Sequence, residues 1–163
     1  MTERNGAKKN GVAAKPAELD FDLLPGLIGY QLRLTQLTDF FNFAQAVADP
    51  TISPGRFGVL VLIGANPGLT QSRLAQATQL DRSTMVAVID LLESRGLVER
   101  RATPMDRRSN ALWLTDKGKR LLRTMKQRVK AHDDRLAATI GDEDSKRLID
   151  MLARMRAGMQ TTK

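Results

Sequence analysis

Apolar positions recur at helical spacing from about Leu24. Leu27, Tyr30, Leu34, Leu37, Phe41, Ala44 and Val47 keep the period, Phe40 and Phe43 widen the stripe, and Pro50 lies just past its end. The pattern predicts an amphipathic helix whose apolar face is broader than one neighbour requires. A second apolar run opens at Ser53, an N-cap residue followed by Pro54, and stops at the turn sequence Asn66-Pro67-Gly68. Thr70 then heads a short helix with Leu74 and Ala75 inward, and Asp81 heads another that Gly96 ends. Two short helices joined by a tight turn predict a helix-turn-helix.

After Gly96 the period becomes alternating. The segments "LVERRA" and "NALWLT" predict two strands with Leu97, Leu112 and Leu114 inward, joined by an arginine-rich loop. Thr115 caps a long helix marked by Leu121, Leu122, Met125, Val129, Leu136 and Ile140, and Gly141 breaks it. The acids Asp142, Glu143 and Asp144 suit the start of a last helix carrying Leu148, Met151, Leu152 and Met155. The predicted fold is mainly α: a winged helix-turn-helix over about residues 53–123, flanked by helices over 24–48 and 124–160. Residues 1–20 lack any hydrophobic period and read as a disordered basic leader, leaving residues 21–163 as a single domain.

Charge sharpens this reading. The net +8 is spread unevenly: six basic and six acidic side chains over residues 1–69, eleven against six over 70–123, and nine against six over 124–163. A surplus of this size points to a polyanion, which could be nucleic acid, an acidic membrane surface or a phosphorylated ligand, and its coincidence with the predicted helix-turn-helix favours double-stranded DNA. Arg82, Ser83 and Thr84, in the first turn of the helix after the turn, are expected at base edges, with Met85 or Val86 against a thymine methyl. Gln71, Ser72 and Arg73, where the preceding helix starts, suit phosphate contacts. In "RRATPMDRRSNALWLT" the arginines are expected to look outward: a loop carrying Arg101, Arg107 and Arg108 suits a narrow minor groove, and Asp106 can aim an arginine fork.

Other classes fit less well. Cysteine is absent, and the single histidine, His132, sits beside Asp133 and Asp134 on what reads as a solvated helix face. No nucleophile with a histidine partner, metal-ligand cluster or glycine-rich phosphate loop is present, so neither an enzyme nor a metal-dependent protein is expected. No apolar run approaches the about 20 residues of a membrane span, and the start of the chain lacks the apolar region of a signal peptide. A cytoplasmic protein without membrane association is expected. Trp113 is expected to pack against a neighbouring element.

The order of elements from Ser53 to Thr115, with "DRSTMVAVIDLLESRGLVERR" and "MDRRSNALWLTDKG", resembles the MarR family of bacterial transcription regulators. The resemblance implies that Arg108 is the minor-groove arginine, Asp106 its orienter, and Arg107 a phosphate contact. It also implies a homodimer in which the terminal helices interleave and two recognition helices meet a palindromic operator. Val86-Ala87 stands where members often carry a Thr-Arg pair, which leaves direct readout to Arg82, Ser83 and Thr84. A small-molecule effector between the dimer interface and the DNA lobes would change their spacing. The lack of cysteine and the single histidine argue against peroxide or zinc sensing and leave an organic ligand, with Tyr30, Arg33, Phe40, Phe43 and Arg56 as candidate contacts. The segments "LPGLIGYQLR" and "SPGRFGVL" further resemble the subgroup that represses hydroxycinnamate catabolism. That resemblance implies an aromatic acyl-CoA effector such as p-coumaroyl-CoA and no cofactor. A sensor of free phenolic acids and a non-specific architectural DNA binder are the alternatives.

Overall fold

The computed structural model of the chain describes residues 19–103 and 106–160, those at 103 and 106–110 by their backbone alone. Two compact units are present, residues 1–35 and 36–163. The expected leader lies outside the described residues up to residue 18.

In the first unit a 3-10 turn at Leu24–Gly26 precedes α1 (Ile28–Val47), which continues into the second unit. The helix begins at Ile28 rather than near Leu24, because Leu27 is extended and the Pro25 carbonyl instead accepts the Gln31 side-chain amide at 2.8 Å. Leu23, Leu24, Leu27, Ile28 and Leu32 are all exposed in the single chain.

The second unit contains the rest of α1, then α2 (Pro54–Ala65), β1 (Leu69–Thr70), α3 (Gln71–Thr78), α4 (Arg82–Ser94), β2 (Val98–Thr103), β3 (Asp106–Leu114), α5 (Asp116–Ala138) and α6 (Asp142–Gln160). The sheet is antiparallel in the order β1-β3-β2, with Leu69 opposite Leu112 and Val98 opposite Leu114. β1 was not predicted; two residues carry no readable period. Its pairing fixes the approach to α3 against the ribbon, since the Gly68 amide also donates to the Leu112 carbonyl at 3.0 Å.

One core holds the elements from the end of α1 through α5 together. Val59, Leu60 and Ile63 of α2, Leu74 of α3, Met85, Ile89 and Leu92 of α4, and Leu112 of β3 are fully buried. Each contributes at most about 1.5–3 kcal/mol by removal from water. The helix starts follow the expected chemistry: Ser53, Thr70, Asp81 and Thr115 each accept a backbone N–H with the side chain. Gly96, at φ 66°, ends α4; its amide bonds Glu93 O at 2.8 Å while Leu97 N bonds Leu92 O at 2.9 Å. These are the paired bonds of a helix terminus closed by a left-handed glycine.

Two apolar stripes are only partly covered in the single chain. In α1 only Phe43 and Val47 enter the core, whereas Leu37, Phe40 and Phe41 are exposed. In α5 the inward positions are Gly118, Leu122, Met125 and His132, and Leu136 and Ile140 are exposed. The inward line turns with the helix, and His132 takes the place expected of an apolar residue.

Candidate nucleic-acid interface

α3 and α4 meet across a turn in which Gln79 is left-handed at φ 57° and Leu80 N donates to Ala75 O at 3.2 Å. Because α4 buries Met85, Ile89 and Leu92, its opposite side presents Arg82, Ser83, Val86, Ala87 and Asp90 to solvent. The expectation that Met85 could touch a base fails for this reason: its side chain is 0% exposed. Thr84 is exposed as well, beside Asp81 at the helix start.

Asp81 organises that start. Its carboxylate accepts the Thr84 amide at 2.8 Å, the Thr84 hydroxyl at 2.7 Å and the Ser83 hydroxyl. The Ser83 hydroxyl, then the amide and hydroxyl of Thr84, hold the Asp81 carboxyl well below the usual carboxylate range. The sequence reading of Ser83 and Thr84 is changed by this geometry. Both hydroxyl protons are engaged on Asp81, so the oxygens offer lone pairs outward.

At the start of α3, Ser72 and Arg73 are exposed and Gln71 is half-buried. Ser72, Arg73, Asp81 and Arg82 line one groove of about 660 Å³ with Gln76 and Gln79. Gln71, Ser72 and Arg82 also rim a smaller hollow of about 360 Å³ with Ala75, Met85 and Val86. The fold therefore brings Arg82, which the sequence assigned to bases, beside Gln71, Ser72 and Arg73, which it assigned to phosphates.

The ribbon arginines divide. Arg100 turns inward: it donates to Asp90 at 2.6 Å and to Glu93, and its backbone N–H bonds Glu93 Oε1 at 3.3 Å. This tie locks β2 to α4 and corrects the expectation that the arginines all look outward. Arg101 lies on β2, opposite Ala111, rather than on a loop. Its guanidinium carbon stands 4.7 Å from the Trp113 ring centroid, and Nε donates to Glu99 at 2.9 Å. Trp113 also backs onto Gly68, where an added Cβ would lie 3.5 Å from the ring. Asp106, Arg107 and Arg108 stand at the start of β3; their side chains lie outside the described residues.

The other end of α4 is also fastened. Arg95 donates to Asp49 Oδ2 at 2.8 Å and to the Thr51 hydroxyl, while Lys117 donates to Arg95 O at 2.8 Å. Burial works to raise the Asp49 pKa, but the hydrogen bonds from Thr51 and Arg95 outweigh it and leave the carboxyl low. The α1–α2 connection, α4 and α5 thus share one polar clasp.

The candidate ligand residues are more scattered in environment. In residues 1–35, Tyr30 is half-buried and Arg33 exposed. In residues 36–163, Phe40 is exposed and Arg56 donates to Thr51 O at 2.7 Å. Phe43 belongs to the core, 6.0 Å from the Phe57 ring and 6.3 Å from His132, and its side chain is almost fully covered. His132 corrects the solvated-face reading. It is 5% exposed, and Nε2 lies 2.8 Å from Asp39 Oδ1. The signal was present in the sequence, because His132 continues the inward spacing of Leu122, Met125 and Val129. It also lines a polar groove of about 480 Å³ with Asn42, Gln45, Arg135 and Thr139, none of which the sequence singled out. Among the described residues no cluster of three metal-ligating side chains occurs, and no helix is long and apolar enough to cross a membrane.

Comparison with known proteins places this geometry in a family. The MarR family profile matches residues 51–109. The chain is 37% identical over 140 residues to a protein of Thauera aromatica assigned to regulate transcription of the hcr operon, covering 85% of this chain and 84% of that protein. It resembles the transcriptional repressor CouR bound to a 23-mer DNA duplex with a TM-score of 0.81 and 40% identity, over 86% of this chain and 99% of that one. Its likeness to CouR bound to p-coumaroyl-CoA has a TM-score of 0.79 and 38% identity, over 85% and 98% of the two chains. A helix-turn-helix backed by a three-stranded sheet, with this extent of likeness to transcription regulators rather than enzymes, leads to one conclusion: the chain belongs to the MarR family of transcriptional regulators.

Proposed function

We propose that the protein is a transcriptional repressor that binds a palindromic DNA operator as a homodimer and leaves it when an aromatic acyl-CoA thioester, such as p-coumaroyl-CoA, binds. The 40% identity to CouR bound to a DNA duplex, along nearly the whole of that chain, carries the DNA part of this reading. The CouR likeness in complex with p-coumaroyl-CoA supports the effector class. Within the chain, Arg82 and the outward oxygens of Ser83 and Thr84 face the bases, while Gln71, Ser72 and Arg73 hold phosphates. Arg108, aimed by Asp106 and flanked by Arg107, enters the minor groove, and Arg101 steadies the ribbon. Tyr30, Arg33, Phe40 and Arg56 are the effector contacts of this reading; Phe43 is left to the core.

Fluorescence anisotropy on a labelled duplex from the region flanking the gene tests this reading. p-Coumaroyl-CoA is expected to release the protein at concentrations where p-coumarate does not, because the CoA phosphates supply contacts that the free acid lacks. Arg33→Ala is expected to weaken thioester binding more than DNA binding. Equal response to acid and thioester would turn the assignment to a sensor of free phenolic acids. Binding that falls steeply with salt and ignores sequence would make the protein an architectural DNA binder.

A further inference from the structure

α4 carries an exposed stripe at Ser83, Val86, Ala87 and Asp90, the spacing of one helix face. Its hydrogen-bonding character is unusual for a surface that meets bases. Ser83 gives its proton to Asp81, and Asp90 accepts from Arg100 at 2.6 Å. Val86 and Ala87 have no polar side-chain atom. The stripe therefore offers acceptors and methyl groups but no free donor. Guanine presents two acceptors in the major groove and finds no donor on this stripe, Arg82 at the helix start being the donor beside it, whereas thymine presents a methyl group that Val86 can meet.

Val86 is the most exposed large apolar side chain on this helix, at 43%. A valine here leaves nearly half of its side chain in solvent in the single chain and forms helix less readily than alanine, lysine, arginine, glutamine or glutamate. It stands at the hollow whose other apolar walls are Ala75 and Met85 and whose rim is Gln71, Ser72 and Arg82. An apolar recess with polar donors around it, on the basic part of the chain, suits one methyl group projecting from a base edge beside a phosphate strand.

We propose that Val86 is a specificity-determining residue that reads the C5 methyl group of a thymine in each operator half-site. The inference rests on the DNA-binding reading above and adds to it the identity of a base. Contact with one methyl is worth about fourfold in affinity per half-site, or about fifteenfold on a symmetric duplex.

The test starts with the tightest duplex recovered from a randomised pool, remade with deoxyuridine replacing each thymine in turn, symmetrically in both half-sites. Wild type is expected to lose about fifteenfold at one position. Val86→Ala is expected to bind the thymine duplex as weakly as wild type binds the uridine duplex and to bind both alike. Circular dichroism melting checks that the variant is folded. A preferred duplex that tolerates uridine everywhere overturns the inference and leaves DNA recognition standing. Continued discrimination by Val86→Ala also overturns it, because another side chain then reads the methyl. Failure to recover any preferred duplex removes both this inference and the sequence-specific repressor reading.

Discussion

At Asp81 one carboxylate both caps α4 and sets the polarity of the two hydroxyls beside it. Its depressed pKa makes the ionised form the one that folding favours. The stabilisation is therefore complete above the unfolded carboxylate's pKa of about 3.9 and is lost as pH falls below it toward the folded value. Asp81→Asn is expected to be less stable than wild type at neutral pH and to converge with it in acid, measured as melting temperature against pH. A constant gap would show that the charge contributes nothing. Gly118 illustrates a different constraint. A Cβ built there would lie 2.0 Å from the Leu97 carbonyl oxygen, which accepts the Thr115 amide at 3.1 Å. Because that contact is backbone, no rotamer relieves it. Gly118→Ala is expected to cost about 2–3 kcal/mol in urea denaturation, and an unchanged midpoint would contradict the close approach.

Among the elements, α4 and the ribbon act as one part because Arg100 joins them through Asp90 and Glu93. Arg100 is a positioning residue and makes no phosphate contact in this reading. Arg100→Ala is thus expected to weaken operator binding without changing the salt slope, whereas Arg73→Ala should reduce that slope by about one. Equal slopes for both variants would reverse the assignment. The sequence made the helix starts legible, since Ser53, Thr70, Asp81 and Thr115 act on amides two or three residues away. Gly96 was legible for the same local reason. Arg100 was not, because its partners lie across a turn and depend on how β2 emerges beside α4. β1 was too short to announce itself. His132 was misread through its acidic neighbours in sequence, although its spacing on α5 matched the buried line; helix phase was the better guide than adjacent charge. The hydroxyl orientation at Ser83 and Thr84 required the three-dimensional position of Asp81.

For the whole molecule, the unresolved balance is apolar surface. α6 has no buried residue in the single chain, yet Leu148 is 43% exposed, Ile149 68%, Met151 45% and Leu152 37%. Leu37, Phe40 and Phe41 of α1 are exposed too. Surface of this kind along whole helices favours association of a second copy, and two-fold symmetry then supplies two copies of α4 to the proposed palindrome. Leu148 and Leu152 lie one turn apart, so replacing both by glutamate charges a single face without opening the core. The double variant L148E/L152E is expected to sediment as a monomer where wild type sediments as a dimer, and to keep the helix content of the fold. Its operator affinity should fall toward that of wild type for an isolated half-site, because the second recognition helix no longer binds as part of the same particle. A double variant that stays dimeric would move the interface away from this face of α6. A monomer that still binds the palindrome with full affinity would separate DNA recognition from dimerisation altogether.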